Sequence, residues 1–212
     1  MSFISIISQF LYYRTIPEHE EIKKKLMPKI LEQEEKFINN NINLENAYTN
    51  YSFKGKWFEQ SGFLGDPSVV KPIILQTIYE VINHMKSNNI LPIPPYKDYL
   101  ISNAWYTRYN IDGSFDYHQH GHIQTIINGQ MANTVFSIIY ILNDQNIGNS
   151  TMFMNHDRTY LVMSEEIEID TAEFSDIKEG TVIIFPSSFY HKVKRIKIPN
   201  RITVSYNILG VL

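Results

Sequence analysis

The chain has 212 residues, with 19 Lys+Arg against 22 Asp+Glu and a formal net charge of −3. At 43% hydrophobic and 19% charged it can bury a sizeable core, and at roughly 150 residues per domain its length suggests one domain over residues 1–212. The lack of cysteine excludes a disulfide scaffold, thiolate catalysis, zinc fingers and iron–sulfur ligation, and the lack of a basic excess leaves nucleic acid without support in the composition.

The N-terminal run MSFISIISQFLYY is apolar but has no Lys or Arg before Arg14, so it lacks the basic start of a secretory signal. It reads as a short strand that joins a sheet, and an exposed strand there leaves a homodimer open. From Pro17 to about Asn39, apolar residues recur near the helical period at Ile22, Leu26, Ile30, Leu31, Phe37 and Ile38, with Pro28 placed to kink or split the helix. The Glu18–Lys25 run reads as its solvated face. A second helix starts near Ser68, capped by Ser68 or Lys71, with Pro72 in its first turn and a stripe from Val70 to Met85. The proline-rich stretch from Lys86 to Tyr99 closes this supporting part, residues 1–99.

From Leu100 the pattern becomes short β-branched and aromatic segments broken by turn residues. Strands are expected at 101–110, 115–122, 134–142, 151–155, 159–163, 166–170, 181–186, 189–195 and 201–209. The fold class is therefore mainly β: a jelly roll or barrel at 100–212, braced by two or three N-terminal helices. Ile123–Asn133 is long and polar and reads as a lid or substrate loop. No stretch approaches ~18 consecutive apolar residues, so no membrane span is expected and the localisation reads as cytoplasmic.

Five of the seven histidines (His118, His120, His122, His156, His191) fall in the β half. His118, His120 and His122 share one strand face by their i, i+2, i+4 spacing, which suits a metal better than an apolar core. A further ligand comes from His191, at a strand start. Arg201 and Thr203 share another face and can clamp a carboxylate by a charged fork and a hydroxyl. Lys192, Lys194, Arg195 and Lys197 read as edge-strand charges that deter aggregation.

The set Trp105, Tyr109, Gly113, His118-x-His120, Ser137–Asn143, Gly180–Pro186, His191 and Arg201-x-Thr203 through Asn207 resembles the Fe(II)- and 2-oxoglutarate-dependent oxygenases. It is similar to their small bacterial and phage branch, relatives of the prolyl hydroxylases, over roughly residues 100–210. The resemblance implies a double-stranded β-helix with iron held by His118, His120 and His191. It implies 2-oxoglutarate gripped by Arg201 with Thr203, and Tyr109 and Tyr140 lining the cosubstrate pocket. It further implies O₂ as co-oxidant, succinate as product, hydroxylation of a protein or peptide side chain, and a host-cytoplasm setting if the chain is phage-encoded. The family pattern has Asp or Glu where this chain has His120, so the third ligand is His120 or a carboxylate such as Asp116 or Asp157. The competing classes are a cupin-like metal protein without oxygenase chemistry and an inactive relative.

Overall fold

The structure is a computed structural model, and it describes residues 2–6, 9–39, 46–49, 70–88, 96–120, 124–145, 150–154 and 168–212. Its elements in chain order are β1 (Ser2–Ile6), β2 (Gln9–Thr15), α1 (His19–Asn39), β3 (Ala47–Thr49), α2 (Lys71–Ser87), β4 (Asp98–Tyr109), β5 (Phe115–His118), β6 (Gln124–Ile127), β7 (Gln130–Asn143), β8 (Thr151–Met154), β9 (Glu168–Asp170), β10 (Thr181–Pro186), β11 (Tyr190–Val193) and β12 (Arg201–Val211). The major sheet runs β1-β2-β10-β7-β12-β4-β3, with β6 added on β7, and the minor sheet runs β5-β11-β8-β9. The recorded strand pairs are antiparallel. This is the expected jelly roll, with two helices among the described residues.

Successive strand residues face opposite sides of a sheet, and the central strands show what each side requires. On β10, Val182 and Ile184 pack toward the helices while Ile183 and Phe185 pack toward the minor sheet. On β7, Ile138, Tyr140 and Leu142 take the helix side, and Ile139 and Ile141 the other. Both faces are covered, so these strands read as almost unbroken apolar runs. α1 offers Ile22, Leu26, Ile30 and Phe37 to this core, and α2 offers Ile74, Ile78, Val81, Ile82 and Met85.

Local expectations are corrected in four places. Pro28 does not split α1, which runs unbroken from His19 to Asn39. Val70, not Ser68 or Lys71, is the N-cap of α2, without a side-chain cap bond, and Pro72 stands in the first turn where its missing N–H costs nothing. The N-terminal run makes the hairpin β1–β2 rather than one strand, and β2 pairs with β10. The 123–133 lid is, over its described residues, the hairpin β6–β7, turned at Asn128 (φ 51°) and Gly129 (φ 77°). Asn-Gly is the strongest short hairpin signal because both turn positions need positive φ. The expected strand at 159–163 lies outside the described residues. None of the described helices is long and apolar enough to cross a membrane.

Two polar clamps fasten α1 to the sheets. Arg108 on β4 donates to both Glu34 oxygens, from Nε at 2.7 Å and a terminal nitrogen at 2.8 Å, and its other terminal nitrogen reaches Asn200 Oδ1 at 3.1 Å. Both partners are buried, so removing one strands the other's charge. Glu34→Ala is expected to cost about 3–5 kcal/mol in urea unfolding; a loss below about 1 kcal/mol would show that Arg108 finds a new partner.

In the second clamp, Glu179 binds Lys23 and His19 Nε2, and His19 Nδ1 lies 2.6 Å from Tyr140 Oη. His19, Glu20 and Glu179 lie close enough to suggest a cation site, but the Lys23 ammonium already occupies the Glu179 carboxylate. Burial pushes the Glu179 carboxyl up. Hydrogen bonds from Lys23, the Asp144 N–H and His19, with the Lys23 charge, outweigh that and hold it below the ordinary glutamate value. A depressed folded value means its contribution is full above the unfolded pKa and is lost as pH falls through the folded one. The stability gap between wild type and Glu179→Gln, about 1 kcal/mol or less for so open a pair, should be present at pH 6 and shrink toward pH 3. A gap that grows on acidification would reverse this assignment.

Candidate metal centre

β5 and β11 pair so that His118 and His191 are direct register partners. His120 lies two residues past β5, outside regular strand, where its N–H donates to the Ser187 carbonyl at 3.1 Å. The ring centroids of His118 and His191 are 4.3 Å apart, those of His120 and His191 5.0 Å, and those of His118 and His120 5.7 Å. One nitrogen from each ring lies within 4.8 Å of the others. A first-row dication bonds imidazole nitrogen at ~2.0–2.1 Å, so these nitrogens would draw closer together around one.

The other ring nitrogens determine what these faces offer. His118 Nδ1 lies 2.8 Å from the Asp116 carbonyl and His191 Nδ1 3.1 Å from the Phe189 carbonyl. A carbonyl can only accept, so each Nδ1 carries a proton and Nε2 is the atom left to face a metal. His120 Nδ1 lies 2.9 Å from Asn207 Oδ1 and 2.9 Å from Ser137 Oγ, while the Ser137 hydroxyl also bonds Asn207 Oδ1. Burial, then the neighbouring His118, pushes His120 down to about 4; burial, then His118 and His120, holds His191 well below its ordinary value. Both rings are neutral near pH 7, as metal ligation needs.

Such supporting hydrogen bonds raise ligand basicity and set ring orientation, and losing one costs about 10–100-fold in metal affinity. Asn207→Leu should therefore weaken zinc binding by that factor in a chelator competition. Asn207→Asp, which still accepts from Nδ1–H, should preserve it; equal losses in both would show that Asn207 only packs.

The triad opens into a cavity of about 650 Å³. One wall is built by alternation along two paired strands. Thr203, Ser205 and Asn207 of β12 face the cavity, as do Trp105, Thr107 and Tyr109 of β4, while Val204, Tyr206 and Tyr106 pack toward the helices. Trp105 lies against His120, with ring centroids 5.1 Å apart. Behind Tyr109, Thr151 and Thr203 lies Arg201, whose side chain is fully buried. Its guanidinium lies 5.7 Å from the Tyr109 ring centre and donates to Thr151 Oγ1 at 3.1 Å. Burial raises the Tyr109 hydroxyl, against the Arg201 charge and hydrogen bonds with Thr203 and Thr107, so it stays protonated.

Of the residues singled out in the sequence, His118, His120, His191, Tyr109 and Thr203 line this cavity and Arg201 stands behind it. Tyr140 does not come to it. It sits at an even position of β7, so it points to the helix side and meets His19. Asp116 lines the cavity but is not part of the histidine cluster, while His122, His156 and Asp157 lie outside the described residues. The expected basic cluster is partly neutralised: Lys192 lies 3.7 Å from Glu168, and Lys194 pairs with Asp170. Ser205, Asn207 and Thr151 are additions. The first two continue the Arg201–Thr203 alternation, a signal present in the sequence, whereas Thr151 arrives from the opposite sheet.

The fold is a double-stranded β-helix that brings His118 of β5 and His191 of β11 together beside one cavity and carries a buried arginine on its last strand. Solved structures of similar fold include 2-oxoglutarate/Fe(II) oxygenases and prolyl hydroxylases. Apo HygX from Streptomyces hygroscopicus matches with a TM-score of 0.50 at 9% identity, over 96% of this chain and 82% of that one. HygX has also been solved with iron bound, and with nickel and 2-oxoglutarate bound. The viral collagen prolyl hydroxylase of Paramecium bursaria Chlorella virus-1, as its 2-oxoglutarate complex, matches with a TM-score of 0.46 at 13% identity, over 95% and 97% of the two chains. A 2OG-Fe(II) oxygenase family protein from Burkholderia pseudomallei matches with a TM-score of 0.38 at 16% identity, over 52% of this chain and only 43% of its own length. At these identities the likeness is one of fold. No family model and no curated protein matches the chain.

Proposed function

We propose that the protein is an Fe(II)- and 2-oxoglutarate-dependent dioxygenase that hydroxylates a protein or peptide side chain. The observation that carries this reading is the conjunction, around one cavity, of three imidazoles with their Nδ1 atoms already engaged and a buried arginine with an unpartnered terminal nitrogen. The donor set fits Fe(II), for which neutral imidazole is a suitable ligand. The spare guanidinium nitrogen fits a carboxylate.

His118, His120 and His191 would hold the metal. Arg201, helped by the hydroxyls of Thr151, Thr203 and Tyr109, would hold the distal carboxylate of 2-oxoglutarate. When bound, Fe(II) supplies the activation of O₂ that couples oxidation of 2-oxoglutarate, to succinate and CO₂, with conversion of a substrate C–H to C–OH. This chain's own residues bind, orient and exclude water. Trp105 fixes the His120 side of the cavity, and β4 and β12 wall off its inner end. A cavity of about 650 Å³ holds a five-carbon diacid with room for a substrate side chain.

A second reading, a metal-binding jelly roll without oxygenase chemistry, is favoured by one feature. Three neutral imidazoles leave the bound dication one unit more positive than a set with a carboxylate. Anaerobic titration of the metal-free protein with Fe(II) and 2-oxoglutarate separates the two. A weak visible charge-transfer band that needs both components supports the oxygenase, whereas iron binding without the band supports the second reading.

A further inference from the structure

Among the described residues, the two buried arginines are treated differently. Each nitrogen of Arg108 has a hydrogen-bond acceptor, and two of the three acceptors come from Glu34. Arg201 has its charge balanced but not its donors. Asp144 Oδ2 lies 3.1 Å from its Nε, with the two side chains 5% and 0% exposed. That approach is an ion-pair distance outside hydrogen-bond geometry, and both Nε and one terminal nitrogen are left without an acceptor. The remaining terminal nitrogen alone makes a bond, to Thr151 Oγ1. Asp144 is also tied down independently, since its backbone N–H donates to Glu179 Oε2 at 2.7 Å. A buried guanidinium with idle donors calls for an acceptor, and the cavity beyond Thr151, Tyr109 and Thr203 is where one can arrive.

We propose that Asp144 is the specificity-determining counter-charge of this site. It neutralises Arg201 without saturating it, so a ligand carboxylate must engage the idle donors against the repulsion of a fixed carboxylate nearby. This rests on the reading of the site as one for 2-oxoglutarate. Two carboxylates on one buried guanidinium repel strongly, because the effective dielectric is far below that of water. Asp144 thus lowers the affinity for 2-oxo diacids and narrows their advantage over 2-oxo monoacids. Arg201 alone would give a larger preference for the diacid.

The test is calorimetric titration of the zinc-loaded, redox-inert protein with 2-oxoglutarate and with 2-oxopentanoate, which has the same chain length but no distal carboxylate. Asp144→Asn is expected to bind 2-oxoglutarate about tenfold tighter while leaving 2-oxopentanoate unchanged, a split that general loosening of the fold would not produce. Asp144→Glu, which keeps the charge, should stay near wild type. Unchanged or weaker 2-oxoglutarate binding by Asp144→Asn, beside Arg201-dependent binding by the wild type, overturns the role of Asp144 and leaves the cosubstrate reading standing. Wild-type protein that takes up zinc but neither oxo acid overturns the cosubstrate reading itself. Should Asp144→Asn not fold, Asp144→Ser carries the same comparison.

Discussion

His191→Ala is expected to abolish metal binding, with His118→Ala close behind. His191 is almost fully buried, is the register partner of His118, and is boxed by Phe153 and Phe185, whose ring centroids lie 5.8 Å and 4.9 Å from its own. Losing a ligand costs more than losing one of the groups that orient it, so a fall on the order of 10²-fold or more is expected. The measurement is metal content after reconstitution, together with the rise in Tm that zinc produces. Wild type should gain stability with metal and both variants should not. His191→Gln, closer in volume, separates loss of ligation from loss of packing. If His118→Ala and His191→Ala both retain metal at wild-type affinity, the histidines are structural and the oxygenase reading falls with them.

The second large effect is at Arg201. Arg201→Met should leave metal affinity near wild type and weaken 2-oxoglutarate by on the order of 10²–10³-fold, the cost of removing one partner from a buried charged contact. It should also destabilise the fold by about 3–5 kcal/mol, because the buried Asp144 carboxylate then loses the Arg201 charge that lies against it. Arg201→Met combined with Asp144→Asn removes that stranded charge. It should recover much of the stability without recovering 2-oxoglutarate binding. Unchanged 2-oxoglutarate affinity in the double variant would place the carboxylate clamp elsewhere.

The legible part of this protein was what its periodicity encodes. The strand at Thr181–Pro186 appears with its expected limits, and the expected 201–209 is the core of a strand that runs to Val211. The helix patterns match α1 and α2 to within a few residues. What could not be read were features with weak local signals. β3 has only three residues and owes its existence to pairing with β4. Tyr140 was drawn to the cavity by its place in a resembling motif, although its parity on β7 puts it with Ile138 and Leu142 on the helix side. The 123–133 segment was legible after all: its Asn-Gly pair marks a hairpin, and its polar composition hid that.

The candidate site divides in the same way. The Arg201, Thr203, Ser205, Asn207 alternation is a local fact, because a strand's period of two places such residues on one side without help from the rest of the chain, whereas His120, spaced i+2 from His118, lies past the end of β5 and is held by its bond to Ser187. That alone determined a mainly β chain with ligand-type and carboxylate-binding residues in its second half. Which rows meet is not a local property. His191 faces His118 only through the β5–β11 pairing, and Asn207 supports His120 only because the segment after β5 meets β12, 87 residues further along the chain. Asp144 stands beside Arg201 only because β7 ends there. Tautomer, ring neutrality and the unsaturated guanidinium all follow from burial and from partners far away in the chain, and these exist only once the two sheets close over each other.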